Sequence, residues 1–200
     1  MVKHDGEQGE QTAMKSNTGF TLIELVVTML VAAIVLTLGV PSFQATINNN
    51  RLTAGANELV GALHLARSEA IKRNVRVTLC KSANGTACTA AGGYEQGWIV
   101  FVDPNSNATV DAGELVIRAY GPLAGGMTML GGASVANYVS YVSAGMAQLV
   151  DGTPLNATPA NTTLTLCKSG FTDSARQLVL GVGGRSQVST QAPAANAGCS

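Results

Sequence analysis

The stretch GFTLIELVVTMLVAAIVLTLGV, from Gly19 to Val40, decides how the rest of this chain is arranged. From Phe20 to Val40 it runs 21 residues, and its one ionisable side chain is Glu24. At about 1.5 Å of rise per residue, a helix of this length crosses a hydrocarbon core of roughly 30 Å. The stretch therefore predicts a membrane-spanning helix.

Glu24 is the unusual feature of this helix. A carboxylate deep in a bilayer costs on the order of 3 kcal/mol and is seldom retained without a partner. We therefore expect a positive group to meet it. The boundary before the helix is equally sharp, because the polar residues 15–18 end at Gly19 and the apolar run begins at Phe20.

Residues Gly19 to Glu24 (GFTLIE) resemble the processing site of type IV prepilins and pseudopilins. The resemblance implies that a prepilin peptidase cuts after Gly19 and methylates the new amino terminus on Phe20. It also implies that Glu24 meets the positive terminus of a neighbouring subunit in a filament, which offsets the cost of its burial. The alternatives are a secretory signal peptide or a plain single-pass anchor, but residues 39–42 (GVPS) fit a small-residue cleavage site poorly.

Beyond the span, the pattern predicts a second, amphipathic half of the same helix. Gly39 and Pro41 predict a kink, since proline removes a backbone hydrogen bond and clashes with the preceding turn. Apolar residues then recur at spacings of three and four to about Lys72. They are Leu52, Ala56, Leu59, Val60, Leu63, Ala66 and Ala70. This stripe needs a sheet to cover it.

Six short segments, rich in β-branched and aromatic residues and bounded by Gly, Asn, Asp and Pro, predict antiparallel strands. They are Val75–Lys81, Gly97–Val102, Glu114–Tyr120, Tyr138–Ser143, Thr162–Lys168 and Arg176–Val182. The glycines at 125, 126, 131 and 132 indicate a flexible connection. The predicted class is α+β, a pilin fold with a long N-terminal helix packed on an antiparallel β-sheet.

Three internal segments resemble the GspH/FimT family. Residues 66–73 (ARSEAIKR) resemble its helix-ending ARSEA segment, and residues 97–103 (GWIVFVD) resemble its GWxVFxD strand. Gly184-Arg185, after a hydrophobic strand, resembles its closing GR. The predicted divisions are a cleaved leader (1–19), the transmembrane half of the helix (20–41), its amphipathic half (42–73), a periplasmic β-sheet domain (74–188) and a flexible tail (189–200).

Composition and charge are consistent with an exported body. The net charge is zero, with 12 basic and 12 acidic residues, so no overall field attracts nucleic acid or anionic lipid. Two lysines precede the span and no Lys or Arg follows it until Arg51, which places the amino terminus in the cytoplasm. The predicted location is the inner membrane, single-pass, with the C-terminal domain in the periplasm.

Four cysteines suit a compartment that permits disulfides, and they allow three pairings. We favour Cys80 with Cys88, which closes a short loop, and Cys167 with Cys199, which fastens the tail. Each bond adds roughly 2 to 4 kcal/mol by restricting the unfolded chain. No metal site is predicted, because no CxxC pair occurs and His64 is the one histidine after residue 19.

The Asn- and Asp-rich segment Asp103 to Glu114 permits two interpretations. Its oxygen-bearing residues fall at positions 1, 3, 5, 7, 9 and 12 of a twelve-residue calcium loop. However, Ala108 stands where that loop has glycine, and the flanks are strand-like. A hairpin turn gives the same pattern, and it is the interpretation we favour.

The basic residues offer a second functional interpretation. Lys72, Arg73 and Arg76 crowd the end of the helix, and Arg185 follows the glycine-rich residues 181–184. In the FimT branch a GRxR motif is linked to DNA binding during natural transformation. Here Gln187 replaces its second arginine, and phosphate contacts need several cations acting together.

The predicted function is that of a minor pilin or pseudopilin, a structural subunit of a type IV pilus or of a type II secretion pseudopilus. Its expected partners are other pilins or pseudopilins, the prepilin peptidase and the inner-membrane assembly platform. The alternative is a DNA-binding minor pilin. No catalytic motif and no cofactor site is predicted, so an enzyme is not expected.

Overall fold

The computed structural model describes residues 19–155, 158–168 and 171–191. The chain divides into two compact units, Met1–Phe43 and Gln44–Ser200. The predicted leader, apart from Gly19, and the last nine residues of the predicted tail lie outside the described residues.

The long helix α1 runs from Leu22 to Arg73. Its backbone stays helical through Gly39 and Pro41, so the proline removes one hydrogen bond without ending the helix. The predicted transmembrane and amphipathic segments are therefore parts of one continuous element.

The end of α1 is set by a Schellman motif. Asn74 adopts a positive φ of 54°, a conformation that asparagine tolerates better than most residues. The N–H of Val75 donates to the carbonyl of Ala70 at 3.3 Å, and the N–H of Asn74 donates to that of Ile71 at 3.4 Å. These bonds satisfy carbonyls that a helix end otherwise leaves unpaired.

In the part of the chain that the structure describes, eight strands form two antiparallel sheets of four. The first sheet has the order β3-β2-β1-β5 and the second has the order β4-β6-β7-β8. The strands are β1 (Val77–Lys81), β2 (Trp98–Val102), β3 (Val116–Tyr120), β4 (Met127–Gly131), β5 (Tyr138–Tyr141), β6 (Thr163–Lys168), β7 (Phe171–Leu180) and β8 (Ser186–Gln191). A one-turn helix, α2 (Pro159–Thr162), precedes β6.

The apolar stripe predicted on α1 is confirmed as the helical side of the core. Its residues from Leu52 to Ala70 are at most 4% exposed, except Val60, which is partly buried and packs against the same cluster. That cluster joins the stripe to both sheets, for example through Leu79 of β1 and Leu166 of β6. The α+β class is therefore confirmed, and the helix covers two sheets rather than one.

Two strands were not predicted. The segment expected to be a flexible connection contains β4, which pairs with β6 in a regular antiparallel register from Met127 to Gly131. The second is β8, which runs from Ser186 to Gln191, past the predicted division at residue 188, and pairs with β7. Residues 189–191 of the predicted tail are therefore part of a strand.

Candidate functional site

The first turn of α1 follows directly on Gly19 and Phe20. Thr21 stands at the N-cap, where its Oγ1 accepts a hydrogen bond from the N–H of Glu24 at 3.3 Å. Thr followed three residues later by Glu is the capping-box pattern, and the negative side chain suits the positive end of the helix dipole. The segment that carries the processing motif is thus also a well-formed helix start.

The polar groups of the apolar half are satisfied within the helix, with one exception. The hydroxyl of Thr28 donates to the carbonyl of Leu25 at 2.9 Å, and the hydroxyl of Thr37 donates to that of Ile34 at 2.8 Å. Such bonds let hydroxyls enter an apolar medium at little cost. The carboxylate of Glu24 has no hydrogen bond or ion pair among the described residues.

The apolar side chains of this half are exposed all round the helix. Apart from Leu38, the large hydrophobic residues from Phe20 to Phe43 are between 49% and 84% exposed. Of the described helices, α1 is the one long and apolar enough to cross a membrane, and its most apolar window is exposed among the described residues. A bilayer or neighbouring apolar helices must therefore cover this surface, because so large an apolar area is unstable in water.

Most of the cations that were candidates for contacting DNA bind to nearby groups of the protein instead. Lys72 and Arg73 both pair with Glu69, and the Arg73 guanidinium lowers the pKa of that carboxyl by donating to it. Nη1 of Arg76 donates to Oγ of Ser140 at 2.8 Å and also to a backbone carbonyl. These cations have structural partners, so they form no free phosphate-binding cluster.

Arg185, the remaining cation of that prediction, is exposed next to a tightly built turn. The N–H of Gly184 donates to the carbonyl of Gly181 at 2.9 Å, which closes the hairpin between β7 and β8. Gly184 has a φ of +70°, and a Cβ there would lie 2.6 Å from the carbonyl oxygen of Gly145 and 2.9 Å from Cε1 of Tyr141. The glycine of the GR motif is therefore needed for packing, a requirement that does not involve nucleic acid.

The GWxVFxD segment also has a structural explanation. Gly97 has a φ of +117°, and a Cβ there would lie 2.6 Å from the carbonyl oxygen of Tyr120. Trp98 stacks on the ring of Tyr120, with ring centroids 5.4 Å apart. Strand β2, which follows Gly97, lies between β1 and β3 with its first four residues buried.

Asp103, which ends that segment, is fully buried and organises the following loop. Its carboxylate accepts hydrogen bonds from Oγ1 of Thr78 at 2.8 Å and from the backbone N–H groups of Asn107 and Ala108 at 3.1 Å each. The amides of Asn105 and Asn107 lower the pKa of Asp111 by donating to its carboxylate.

The carboxylates of the alternative calcium loop are therefore engaged by hydrogen bonds within the protein. Within residues 19–155, 158–168 and 171–191, no three His, Cys, Asp or Glu side chains are grouped closely enough to hold a metal ion.

The cysteines are arranged as follows. Cys80 in β1 forms a disulfide with Cys88, with Cα atoms 5.6 Å apart. Cys167 is also disulfide-bonded, and Cys199, its predicted partner, lies outside the described residues. The loop closed by the first bond is further held by Lys81, whose Nζ donates to the carbonyls of Ala90 and Gly92.

Two protein families match this chain, one over the apolar part of α1 and one over most of the body. The family described as "Prokaryotic N-terminal methylation motif" matches residues 14–40, and the family described as "Type II transport protein GspH" matches residues 55–184. The second match spans more than half of the sequence. The chain belongs to the GspH family. A search of curated proteins finds no match.

Two solved structures similar to this chain are crystal forms of the type IV minor pilin FimU from Pseudomonas aeruginosa. The first has 20% sequence identity, a TM-score of 0.49, and a match covering 70% of this chain and 90% of that chain. The second has 20% identity, a TM-score of 0.46, and coverage of 69% and 92%.

The GspH match confirms the family predicted from the internal segments, and the methylation-motif match coincides with the predicted processing site. Together they make this chain a structural filament subunit of the minor pilin or pseudopilin kind. Its family is structural rather than enzymatic, and its N-terminal apolar helix is that of a membrane-anchored pilin. No comparison favours the alternative of DNA binding, and no contact among the described residues does so.

Proposed function

We propose that this chain is inserted in the inner membrane as a prepilin, cut after Gly19, methylated on Phe20 and assembled through Glu24. Its body, which follows the membrane helix, lies in the periplasm. Its partners are the prepilin peptidase, the inner-membrane assembly platform and the other pilins or pseudopilins of a type IV pilus or a type II secretion pseudopilus.

The observation that supports this proposal is a difference in hydrogen bonding between the Glu24 carboxylate and the hydroxyl groups of the same apolar helix segment. Thr28 and Thr37 are satisfied by their own backbone, whereas the carboxylate of Glu24 has no partner among the described residues. A buried charge is stable when it is paired and costly when it is not. Glu24 therefore favours the state in which a neighbouring subunit supplies a positive amino terminus.

The new terminus at Phe20 is suited to be that positive group. Cleavage after Gly19 places the amino group of the mature chain four residues before Glu24. In a staggered array of parallel helices, the terminus of one subunit lies level with the carboxylate of another. The same short segment then supplies both charges of the contact.

The experiment that tests the proposal measures two filament-dependent outputs in cells that lack the gene and in a complemented strain. Pili are sheared from the surface and quantified, and type II secreted proteins are quantified in the medium. A loss of pili assigns the subunit to the pilus, and a loss of secretion assigns it to the pseudopilus. If neither output changes, the proposal is refuted.

A further inference from the structure

The outward face of the second sheet, which is the face turned away from α1, contains a small buried cluster. Successive side chains of a strand point to opposite faces of its sheet. In β6, Leu166 belongs to the main core, and Nζ of Lys168 donates to Oδ1 of Asn48 on α1 at 2.9 Å. Cys167, which lies between these two residues, therefore points outward.

Ala175 of β7 lies on the same outward face. Its neighbour Arg176 points toward α1, where its Nη2 donates to Oγ1 of Thr53 at 3.1 Å. Ala175 and Cys167 are both 0% exposed, and they form a cluster separate from the main core. A side chain on the outward face of a sheet is fully buried only when a further layer of protein covers it.

The partner of Cys167 follows from a count of the cysteines. The sequence has four of them, and Cys80 is bonded to Cys88. Cys167 is also disulfide-bonded, and no described cysteine is free. Cys199 is the one cysteine that remains within the chain as its partner. Because the sulfur of Cys167 lies on the outward face, Cys199 must approach from that side.

The chain after β8 is long enough to cross this face. Strand β8 ends at Gln191, which pairs with Ala175 of β7, and β7 lies between β8 and β6. Neighbouring strands are about 4.8 Å apart, so the distance from β8 to β6 is roughly 10 Å. The eight residues from 192 to 199 span at most about 29 Å when fully extended. They can therefore pass over Ala175 to reach Cys167.

The composition of this segment suits a close approach to the sheet. Six of the seven residues from 192 to 198 (APAANAG) are Ala, Gly or Pro, and none is charged. Small uncharged side chains let a backbone lie close to a sheet without burying a charge. The methyl side chain of Ala175 leaves room for such a backbone.

We propose that residues 192–199 form a strap, which crosses the outward face of the second sheet over Ala175 and is held by a disulfide between Cys167 and Cys199. When the bond forms, the two thiols lose two electrons and two protons to an oxidised disulfide, which becomes two thiols. The strap covers this face with the chain's own tail instead of another protein, and it holds the polar strand β8 against the sheet.

The first test measures the Cys167–Cys199 bond in the full-length chain, equilibrated with mixtures of reduced and oxidised glutathione. Thiol blocking and mass spectrometry of linked peptides give the oxidised fraction. Ala175→Leu places a larger side chain under the strap and should lower the equilibrium constant for this bond by roughly tenfold or more. The matched control is Gln177→Leu, which lies on the same face of β7 two residues farther along and should leave the constant unchanged.

The Cys80–Cys88 bond serves as an internal standard, because it lies in the other sheet and should be equally oxidised in all three chains. Equal oxidation of the Cys167–Cys199 bond in the two leucine variants overturns the path over Ala175. A Cys199 that is free or linked to another cysteine in the oxidised, unmodified chain overturns the strap itself.

A second variant tests the cover without altering the sheet. Removal of residues 192–200 should expose Cys167, so that its thiol reacts with iodoacetamide within about tenfold of the rate in the urea-unfolded chain. If the thiol stays unreactive while the Cys80–Cys88 bond is intact, a part of the protein other than the tail covers Cys167, and the proposal is overturned.

Discussion

The proposed function gives Glu24 two separable roles at the start of α1. As the residue three positions after Thr21, it suits the capping pattern and the positive end of the helix. As a carboxylate without a partner among the described residues, it favours contact with a neighbouring terminus. Glutamine can fill the first role, since it is accepted in the capping box, but it lacks the charge needed for the second.

We therefore expect Glu24→Gln to be processed and inserted normally but to enter filaments less well, by roughly tenfold or more, because the ion pair is lost. Glu24→Asp keeps the charge and should enter filaments better than the glutamine variant. The measurement is the ratio of this subunit in sheared filaments to that in membranes. Equal incorporation of the glutamine variant and the unmodified chain would show that the charge is not used.

Gly184 is the second residue whose identity the structure explains. Alanine there would adopt an unfavourable φ of +70° and press its Cβ against backbone and an aromatic ring. We expect Gly184→Ala to lower the free energy of unfolding by about 2 kcal/mol or more, measured by denaturant titration of the detergent-solubilised chain.

The neighbouring Gly183 gives a matched control in the same turn. A Cβ at Gly183 would meet nothing within 4 Å. Gly183→Ala should therefore be close to neutral. Comparable losses in both variants would mean that the turn as a whole, and not the close contact at Gly184, limits stability.

At the scale of the element, the loop from Asp103 to Glu114 is held by its own hydrogen bonds. Asp103 is buried and accepts from Thr78, Asn107 and Ala108, so Asp103→Ala should destabilise the chain by about 3 kcal/mol. Asp111→Ala, at an exposed position, should change stability little. Thermal melting measures both.

The same melting experiment distinguishes a loop held by its own hydrogen bonds from a loop that binds calcium. Because the carboxylates already accept internal hydrogen bonds, adding calcium after chelator treatment should leave the melting temperature of the unmodified chain unchanged. A marked calcium-dependent rise would show that the loop is a cation site instead.

The elements that the sequence predicts are those with an apolar pattern. The stripe from Leu52 to Ala70 has helical periodicity because one face of α1 covers the core. Strand β8 has no such pattern, since it is a polar strand at the edge of its sheet and is held by backbone pairing with β7. Pairing of this kind leaves no periodic trace in the side chains.

The sequence does not predict strand β4 for a different reason. The glycines at its ends indicate a flexible connection, whereas in the structure most of them allow close packing. A Cβ at Gly131 would lie 2.2 Å from the carbonyl oxygen of Val135, and one at Gly132 would lie 2.3 Å from that of Ala160. These glycines permit close backbone contacts, at Gly131 with the turn that follows β4 and at Gly132 with the more distant helix α2.

At the scale of the whole molecule, the chain consists of an exposed apolar helix segment and a compact body. The proposed function depends on this difference. The body has a core of its own, while the segment from Phe20 to Phe43 depends on what surrounds it. Either lipid or a bundle of equivalent helices can cover that segment. In the proposed function, transfer from lipid to the helix bundle is the assembly step that Glu24 favours.

The most direct test of this account is mass spectrometry of the N-terminal peptide of this subunit in sheared filaments or isolated pseudopili. The account predicts a chain that begins at Phe20, carries one added methyl group on its amino terminus, and is shorter than its precursor by 19 of 200 residues. A chain that begins upstream of Phe20, remains in the membrane fraction and is absent from filaments would contradict it.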